Sequence, residues 1–335
     1  MIRKLFLLLS SLFLLTLSSA NAAFSDIPDD HIYKDAINYV QEQGIVSGYS
    51  DGTYRPDDPI TRGEFTKIIV GSVYSAEEII QMSASLYAPA CEMCHGFSVV
   101  NIFNDLASTS TWGKYAFVAK QQGIVSGYSV GTFRPDVNIT VGEASKILAN
   151  SFDIYDTDFG IPTDGNWFSP YLTSLNAAIA FPYTLKDIEQ KLTRGEMADL
   201  VAKLKYKKEG KNFVEDTVNS NLRKVKIYFH DSEIDPQVTD CAANNYYLAF
   251  VPFDNTPVRR TVEYVLNTYN VIGQHGYIID SINLVEGQAE IRIGRTGYGF
   301  GTCGGATVST SVEKSVEALE GVENATIIGG EGTFI

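Results

Sequence analysis

Apolar positions along the chain follow two kinds of pattern, and the change from one to the other divides it. Up to about residue 205 the spacing is helical. Tyr33, Ile37 and Val40 recur at i, i+4 and i+7, which predicts a helix with one apolar face. Gly44 follows at a position suited to a left-handed C-cap, Asp51-Gly52 marks a turn, and Pro56 and Pro59 keep the next stretch extended. A second helix is predicted from Thr61-Arg62-Gly63-Glu64. There the Thr61 hydroxyl can accept the Glu64 N–H while the Glu64 carboxylate reaches back to the Thr61 N–H, a capping box. Ile68 and Ile69 then bury against the first helix.

Beyond residue 223 the period changes. Residues 224–229 alternate as a half-buried strand should, and 246–252 read as a second strand. Thr256-Pro257 opens a helix with Val258, Val262, Val265 and Leu266 on one face. Residues 282–290 contain a hairpin turning near Glu286-Gly287, followed by Ile291 and Ile293. Val308, Val312, Val316 and Leu319 form another helical stripe ended by Gly321, and 325–328 close as a strand. The order β, β, α, β, β, α, β predicts a small α/β sandwich with helices on one face of a sheet.

The helical half repeats itself. Gly44-Ile45-Val46-Ser47-Gly48-Tyr49-Ser50 recurs unchanged at residues 123–129, an offset of 79. The same offset carries Phe24 to Phe103, Asp26 to Asp105, Arg55-Pro56-Asp57 to Arg134-Pro135-Asp136, and Thr61 to Thr140. A degenerate third copy opens at Trp167-Phe168-Ser169 and has its own box at Thr193-Arg194-Gly195-Glu196. One helix pair cannot bury its own apolar face, so three copies are expected to pack together. The expected layout is copy one at 23–76, an insert at 77–101, copy two at 102–152, copy three at 162–205, a charged linker at 206–222 and the alternating region at 223–335.

In order, Phe24-Ser25-Asp26, the Gly44–Gly48 string, Asp51-Gly52-Thr53-Tyr54-Arg55-Pro56 and the Thr-Arg-Gly-Glu box resemble the S-layer homology (SLH) domain. The resemblance covers about residues 24–205. It implies a mainly α, three-pronged pseudo-trimer that binds acidic, commonly pyruvylated secondary cell-wall polysaccharide in grooves between the prongs. Thr61 with Glu64, Thr140 with Glu143, and Thr193 with Glu196 have capping duties. Arg62 and Arg194 have none; they are expected to be exposed at a helix start, where a guanidinium can take a carboxylate or phosphate bidentately. The resemblance makes these two arginines the polymer-contacting candidates. The second copy reads Thr140-Val141-Gly142-Glu143, so its fold is expected to persist and its groove to be lost or weakened. Gly48 and Gly127 either admit a sugar close to the backbone or serve turn geometry alone. Asp26, Asp35 and Asp105 read as helix-start acids that offset the dipole.

The N-terminus sets the compartment. Arg3 and Lys4 precede an apolar run at 5–17, and Ala20-Asn21-Ala22 supplies small residues for cleavage, so 1–22 read as a signal peptide. The run is too short for a bilayer core of about 30 Å, so no transmembrane segment is expected after cleavage. The mature chain is expected outside the cytoplasm, and the SLH resemblance implies the cell wall or cell surface. With 26 basic against 40 acidic side chains the net charge is −14, which argues against nucleic acid as a partner. Cys91-Glu92-Met93-Cys94-His95 in the insert leaves three readings open: a local Cys91–Cys94 disulfide, a c-type haem attachment with His95 as axial ligand, or a metal or free-thiol role. The expected cofactor set is empty. Cys241 and Cys303 are expected to pair in an exported chain.

The 225–229 strand, the 284–293 hairpin with Gly287 at its turn, Phe250-Val251-Pro252 before a helix, and the closing Val322-Glu323-Asn324-Ala325-Thr326-Ile327 resemble the GerMN (sporulation and germination protein M) domain. That likeness implies an envelope-associated assembly or binding role, with an envelope protein as the expected partner. The glycine-rich 297–305 stretch lacks a phosphate-loop ending. His230, Asp231 and Glu233 lack metal spacing, His275 stands alone, and Ser309 and Ser311 lack a nucleophile motif. A wall-anchored binding protein is therefore expected rather than an enzyme. The alternatives are a wall-remodelling catalyst and an S-layer subunit.

Overall fold

The computed structural model describes residues 23–84, 102–155, 167–217, 222–229, 245–252, 254–273, 276–296 and 302–329. The leader 1–22, the Cys91, Cys94 and His95 string, His230, Asp231, Glu233, His275 and Cys241 lie outside the described residues. Of the expected Cys241–Cys303 pair, only the backbone of Cys303 is within them.

Three helix pairs make up the first part. The first pair is α1 (Lys34–Glu42) and α2 (Arg62–Val73). A short α3 (Ala76–Ser83) is followed by the second pair, α4 (Gly113–Gln121) and α5 (Val141–Ser151), and the third is α6 (Ser169–Ala178) and α7 (Arg194–Lys208). Local chemistry explains the ends. Gly44 and Gly123 stop α1 and α4 with φ of +67° and +72°. The Thr61, Thr140 and Thr193 hydroxyls each accept the N–H three residues on, and the matching glutamates return the bond.

The three extended segments before the boxes close a ring. The Ile60 N–H donates to Leu192 O (2.9 Å), the Leu192 N–H to Ile139 O (3.0 Å), and the Ile139 N–H to Ile60 O (3.1 Å). Around that ring Tyr54, Phe65, Phe133, Ile147, Leu172 and Leu204 belong to one buried core to which all three pairs contribute.

Two margins of the expected units carry structure of their own. Residues 76–83, at the start of the expected insert, form α3; Ser75 and Glu78 make their own capping box and Ile79 is buried. The expected 206–222 linker is packed through residue 217. It contains α8 (Phe213–Asp216), and the Phe213 ring lies 5.1 Å from Tyr206 and 6.0 Å from Tyr39. Lys207, Lys208, Glu209 and Lys211 are exposed while Phe213 and Val214 are buried.

In the second part the elements follow the expected order: β1 (Leu222–Phe229), β2 (Asn245–Pro252), α9 (Pro257–Gly273), β3 (Gly276–Val285), β4 (Gln288–Thr296), α10 (Thr302–Glu317) and β5 (Asn324–Gly329). The pairing differs from a single sheet. Among the described residues β1 and β2 form an antiparallel pair, and β3-β4-β5 form a separate sheet in which β4 and β5 run parallel. Helices α9 and α10 pack on each other, and α10 reaches both β1 and β5, so it joins the two sheets. The β3–β4 turn has positive φ at Glu286 (47°) and Gly287 (79°), as a two-residue type I′ hairpin requires.

The two parts meet at the third copy. The Tyr264 hydroxyl donates to Phe181 O (2.5 Å) and the Tyr183 hydroxyl to Glu263 Oε2 (2.6 Å). Arg260 donates to Tyr183 Oη (2.9 Å) and also pairs with Asp254 (2.7 Å). Beneath them Lys203 is buried against Asp199 (2.6 Å) and donates to Ala180 O.

Candidate functional site: the clefts between helix pairs

Each capped helix starts against the loop of a neighbouring copy. Arg62 and Gly63 donate their N–H groups to Val137 O and Pro135 O, Val141 and Gly142 to Gln190 O and Ile188 O, and Arg194 and Gly195 to Asp58 O and Pro56 O, all at 2.8–3.0 Å. With the third N–H held by the threonine, the first three donors of these helices are already taken. An anion therefore finds no bare helix N-terminus here, which corrects the expectation of a dipole-assisted site. The box glycine follows from the same contact: a Cβ on Gly63 would lie 3.0 Å from Pro135 O and from the Trp112 ring.

Arg62 and Arg194 are not exposed at the helix start, as expected, but 7% and 6% exposed. Each crosses to the next copy and lies on its aromatic rings. The Arg62 guanidinium is 5.1 Å from the Tyr128 and Phe133 centroids, and that of Arg194 is 4.8 Å from those of Tyr49 and Tyr54. The same tyrosines carry a second guanidinium at 4.1 Å, Arg134 over Tyr128 and Arg55 over Tyr49.

Arg55 and Arg134 both sit at φ 60°, and the backbone there is clamped. Asp26 accepts the Tyr54 and Arg55 N–H groups (2.8 and 2.6 Å), and Asp105 accepts those of Phe133 and Arg134 (2.7 Å each). Asp26 and Asp105 therefore shape the loop, not a helix dipole. Asp35 alone of the three lies in a first helical turn, where burial raises its pKa. Gly48 and Gly127, at φ of +67° and +77°, leave room for an aromatic ring. An added Cβ would come within 2.3 Å of Phe24 and 2.4 Å of Phe103.

The clefts are unequal. Between copies three and one, Arg194 Nε donates to Tyr54 O (2.8 Å), and Arg55 is paired with Asp51 (2.8 Å). Between copies one and two, Val130 replaces Asp51, and the buried Arg62 Nε has no hydrogen-bond partner. Two lysines converge beside it: Lys120 Nζ donates to Ser126 O (2.6 Å) and Lys146 Nζ to Ser126 Oγ (3.3 Å). Burial first, and then Arg62 and Lys120, hold Lys146 below the usual lysine range. Among the described residues none of Arg62, Lys120, Arg134 and Lys146 has a carboxylate ion-pair partner.

Glu143 is otherwise engaged. It accepts the Thr140 N–H and the Tyr128 hydroxyl, and burial with that bond pushes Tyr128 up to about 12. Lys146 also reaches toward Tyr171 (5.5 Å) and the half-exposed Trp167 (5.9 Å). In the third cleft Val141 replaces the arginine, and Asp187, just before the carbonyl that receives Gly142, takes the register of Arg55. Among the described residues no three His, Cys, Asp or Glu side chains converge as a metal site.

The sequence pointed to Arg62 and Arg194 but missed their companions. Tyr128 and Arg134 were visible inside repeated strings; Lys120, Lys146 and Trp167 had no such signal, because only packing brings them to Arg62.

Residues 23–66 and 102–145 each match the S-layer homology domain. The chain carries two SLH domains. Arg62, Lys120, Tyr128 and Arg134 fall inside the matched residues, whereas Lys146 and the third copy lie beyond them. A cellulosome-anchoring protein of Acetivibrio thermocellus is 29% identical over 136 residues, 40% of this chain and 27% of that protein. S-layer protein EA1 of Bacillus anthracis is 26% identical over 144 residues, 42% of this chain and 14% of that protein. Exoglucanase XynX of Acetivibrio thermocellus is 32% identical over 134 residues, 38% of this chain and 10% of that protein. The chain thus spans about a quarter or less of the length of these relatives. Among the described residues no helix is long and apolar enough to cross a membrane.

Proposed function

We propose that this cell-surface protein attaches itself to an acidic cell-wall polysaccharide through the cleft between its first two SLH domains. The observation that carries this reading is the uncompensated charge there. A buried Arg62 with an unpartnered Nε stands beside Lys146, Lys120 and Arg134, with no acidic ion-pair partner among the described residues. A desolvated cation costs free energy unless something pairs with it. A carboxylate-bearing sugar, such as a pyruvylated amino sugar of a secondary wall polymer, provides that charge, and its ring finds Tyr128 and Trp167 nearby. The cleft holding Arg194 is a weaker second contact, because Arg55 is already neutralised by Asp51.

The third copy completes the unit as a degenerate SLH repeat in a three-pronged pseudo-trimer, a reading supported by the closed ring at Ile60, Ile139 and Leu192. The C-terminal GerMN-like part is presented outward for an envelope partner, and the molecule works as an attachment protein rather than a catalyst.

Retention on purified wall sacculi tests the proposal. Arg62→Ala and Lys146→Ala should each weaken retention roughly ten-fold or more, the effect of losing one charge-assisted bond of about 1.5–3 kcal/mol. Arg194→Ala should weaken it less, and high salt should weaken all. Full retention of a folded Arg62→Ala, Arg194→Ala double variant would sink the reading.

A further inference from the structure

The junction between the helical unit and the C-terminal part contains a cleft of about 510 Å³, in the size range of ligand sites. Its walls come from the end of α6, the last turns of α7, the segment leading into α8, and strand β2. Lys203, Lys207, Lys211, Asn212, Tyr246 and Leu248 line it, and no aspartate or glutamate does. That is unexpected for a chain with net charge −14. Lys203 is buried against Asp199, and Lys211 meets Glu209 at 2.9 Å at the rim. Lys207 stands on the same helical face as Lys203, one turn on, and is exposed. On the facing wall the half-exposed Tyr246 ring carries Lys226 Nζ at 4.6 Å and lies 5.4 Å from the Tyr228 ring.

The dipole of α7 accounts for cations in its last turn. It does not account for Tyr246 in the same lining, with Lys226 on its ring, or for a lining without aspartate or glutamate. A ring face flanked by ammonium groups suits a sugar that carries a negative charge: the ring stacks on tyrosine while the acid meets lysine. We infer that this junction cleft is a second binding site, for an acidic saccharide. It shares no residue with the cleft at Arg62, so the two readings stand or fall separately.

The test uses residues 23–335 carrying Arg62→Ala and Arg194→Ala, which silences the clefts between helix pairs. Tetragalacturonate is the probe, followed by calorimetry and by intrinsic tyrosine fluorescence, with chitotetraose as the uncharged control. The saccharide should bind in this background, and Lys207→Glu or Tyr246→Ala should each lower affinity about ten-fold without moving the melting temperature. Three results would overturn the proposal: no binding of tetragalacturonate in this background, binding that both further substitutions leave unchanged, or equal binding of chitotetraose. Loss of sacculus retention on Arg62→Ala with tetragalacturonate binding intact would leave both sites standing.

Discussion

Replacing Asp105 by Ala tests how far a single carboxylate holds the proposed binding loop in shape. Its two oxygens accept the Phe133 and Arg134 N–H groups at 2.7 Å each, and they do so where Arg134 is held at φ 60°. That conformation costs an L-residue about 1–2 kcal/mol, so the loop needs an external restraint. Hydrogen bonds to a charged group contribute about 1.5–3 kcal/mol each when protected from water. Asp105 is exposed, so the pair is worth about 2–3 kcal/mol in total, a fall of about 5–10 °C in melting temperature for a unit of this size. The matched control is Asp26→Ala. There Arg55 keeps Asp51 (2.8 Å) and Thr53 (3.2 Å); in repeat two Val130 stands at the position of Asp51, and Thr132 Oγ1 has no hydrogen-bond partner. The control should cost about 1 kcal/mol less. Calorimetric unfolding of both variants, alongside sacculus retention, decides the matter. Equal losses, or a larger loss for Asp26→Ala, would refute the view that the second loop depends on Asp105 alone.

The junction gives two further outcomes. Tyr264→Phe removes the 2.5 Å bond to Phe181 O and should cost about 1–2 kcal/mol. Calorimetry should then split into two transitions while sacculus retention is unchanged. Asp254 is held at about 2 by its bonds to the Thr256 hydroxyl and Arg260, below an ordinary value of 3.8. Because its folded pKa is the lower one, its contribution is present above about pH 4 and is lost as pH falls toward 2. Asp254→Asn should therefore flatten the acid limb of the stability profile across that window, and an unchanged limb would remove this residue from the account.

What could be read from the sequence was whatever is local along the chain. The three capping boxes depend on partners three residues apart, and the C-terminal elements depend on periods of two and 3.6 residues; both were visible. The Ser75–Glu78 box obeys the same grammar, but its helix falls where the chain reads as an insert between copies. Hydrogen bonding between distant segments was not visible: nothing near Asn324 says that β5 joins β4 in parallel, or that β1 and β2 pair apart from them. The arginines show the same limit. Their place in the box was legible, but that Arg62 turns away from its own helix to lie on rings of the next copy depends on residues about seventy positions away. Phe213 was hidden by its neighbours, since a run of lysines reads as a tether even when one aromatic ring in it anchors the segment.

A ring of three segments, each donating to the next, has no free end. Open-ended stacks lengthen by gene duplication, one unit at a time, but here a fourth copy would meet no unsatisfied backbone group to join. The number of gaps between neighbours is therefore settled by the geometry of closure. How tightly such a molecule grips can change only by point replacement within existing gaps, as at Val141, or by adding a different kind of domain alongside.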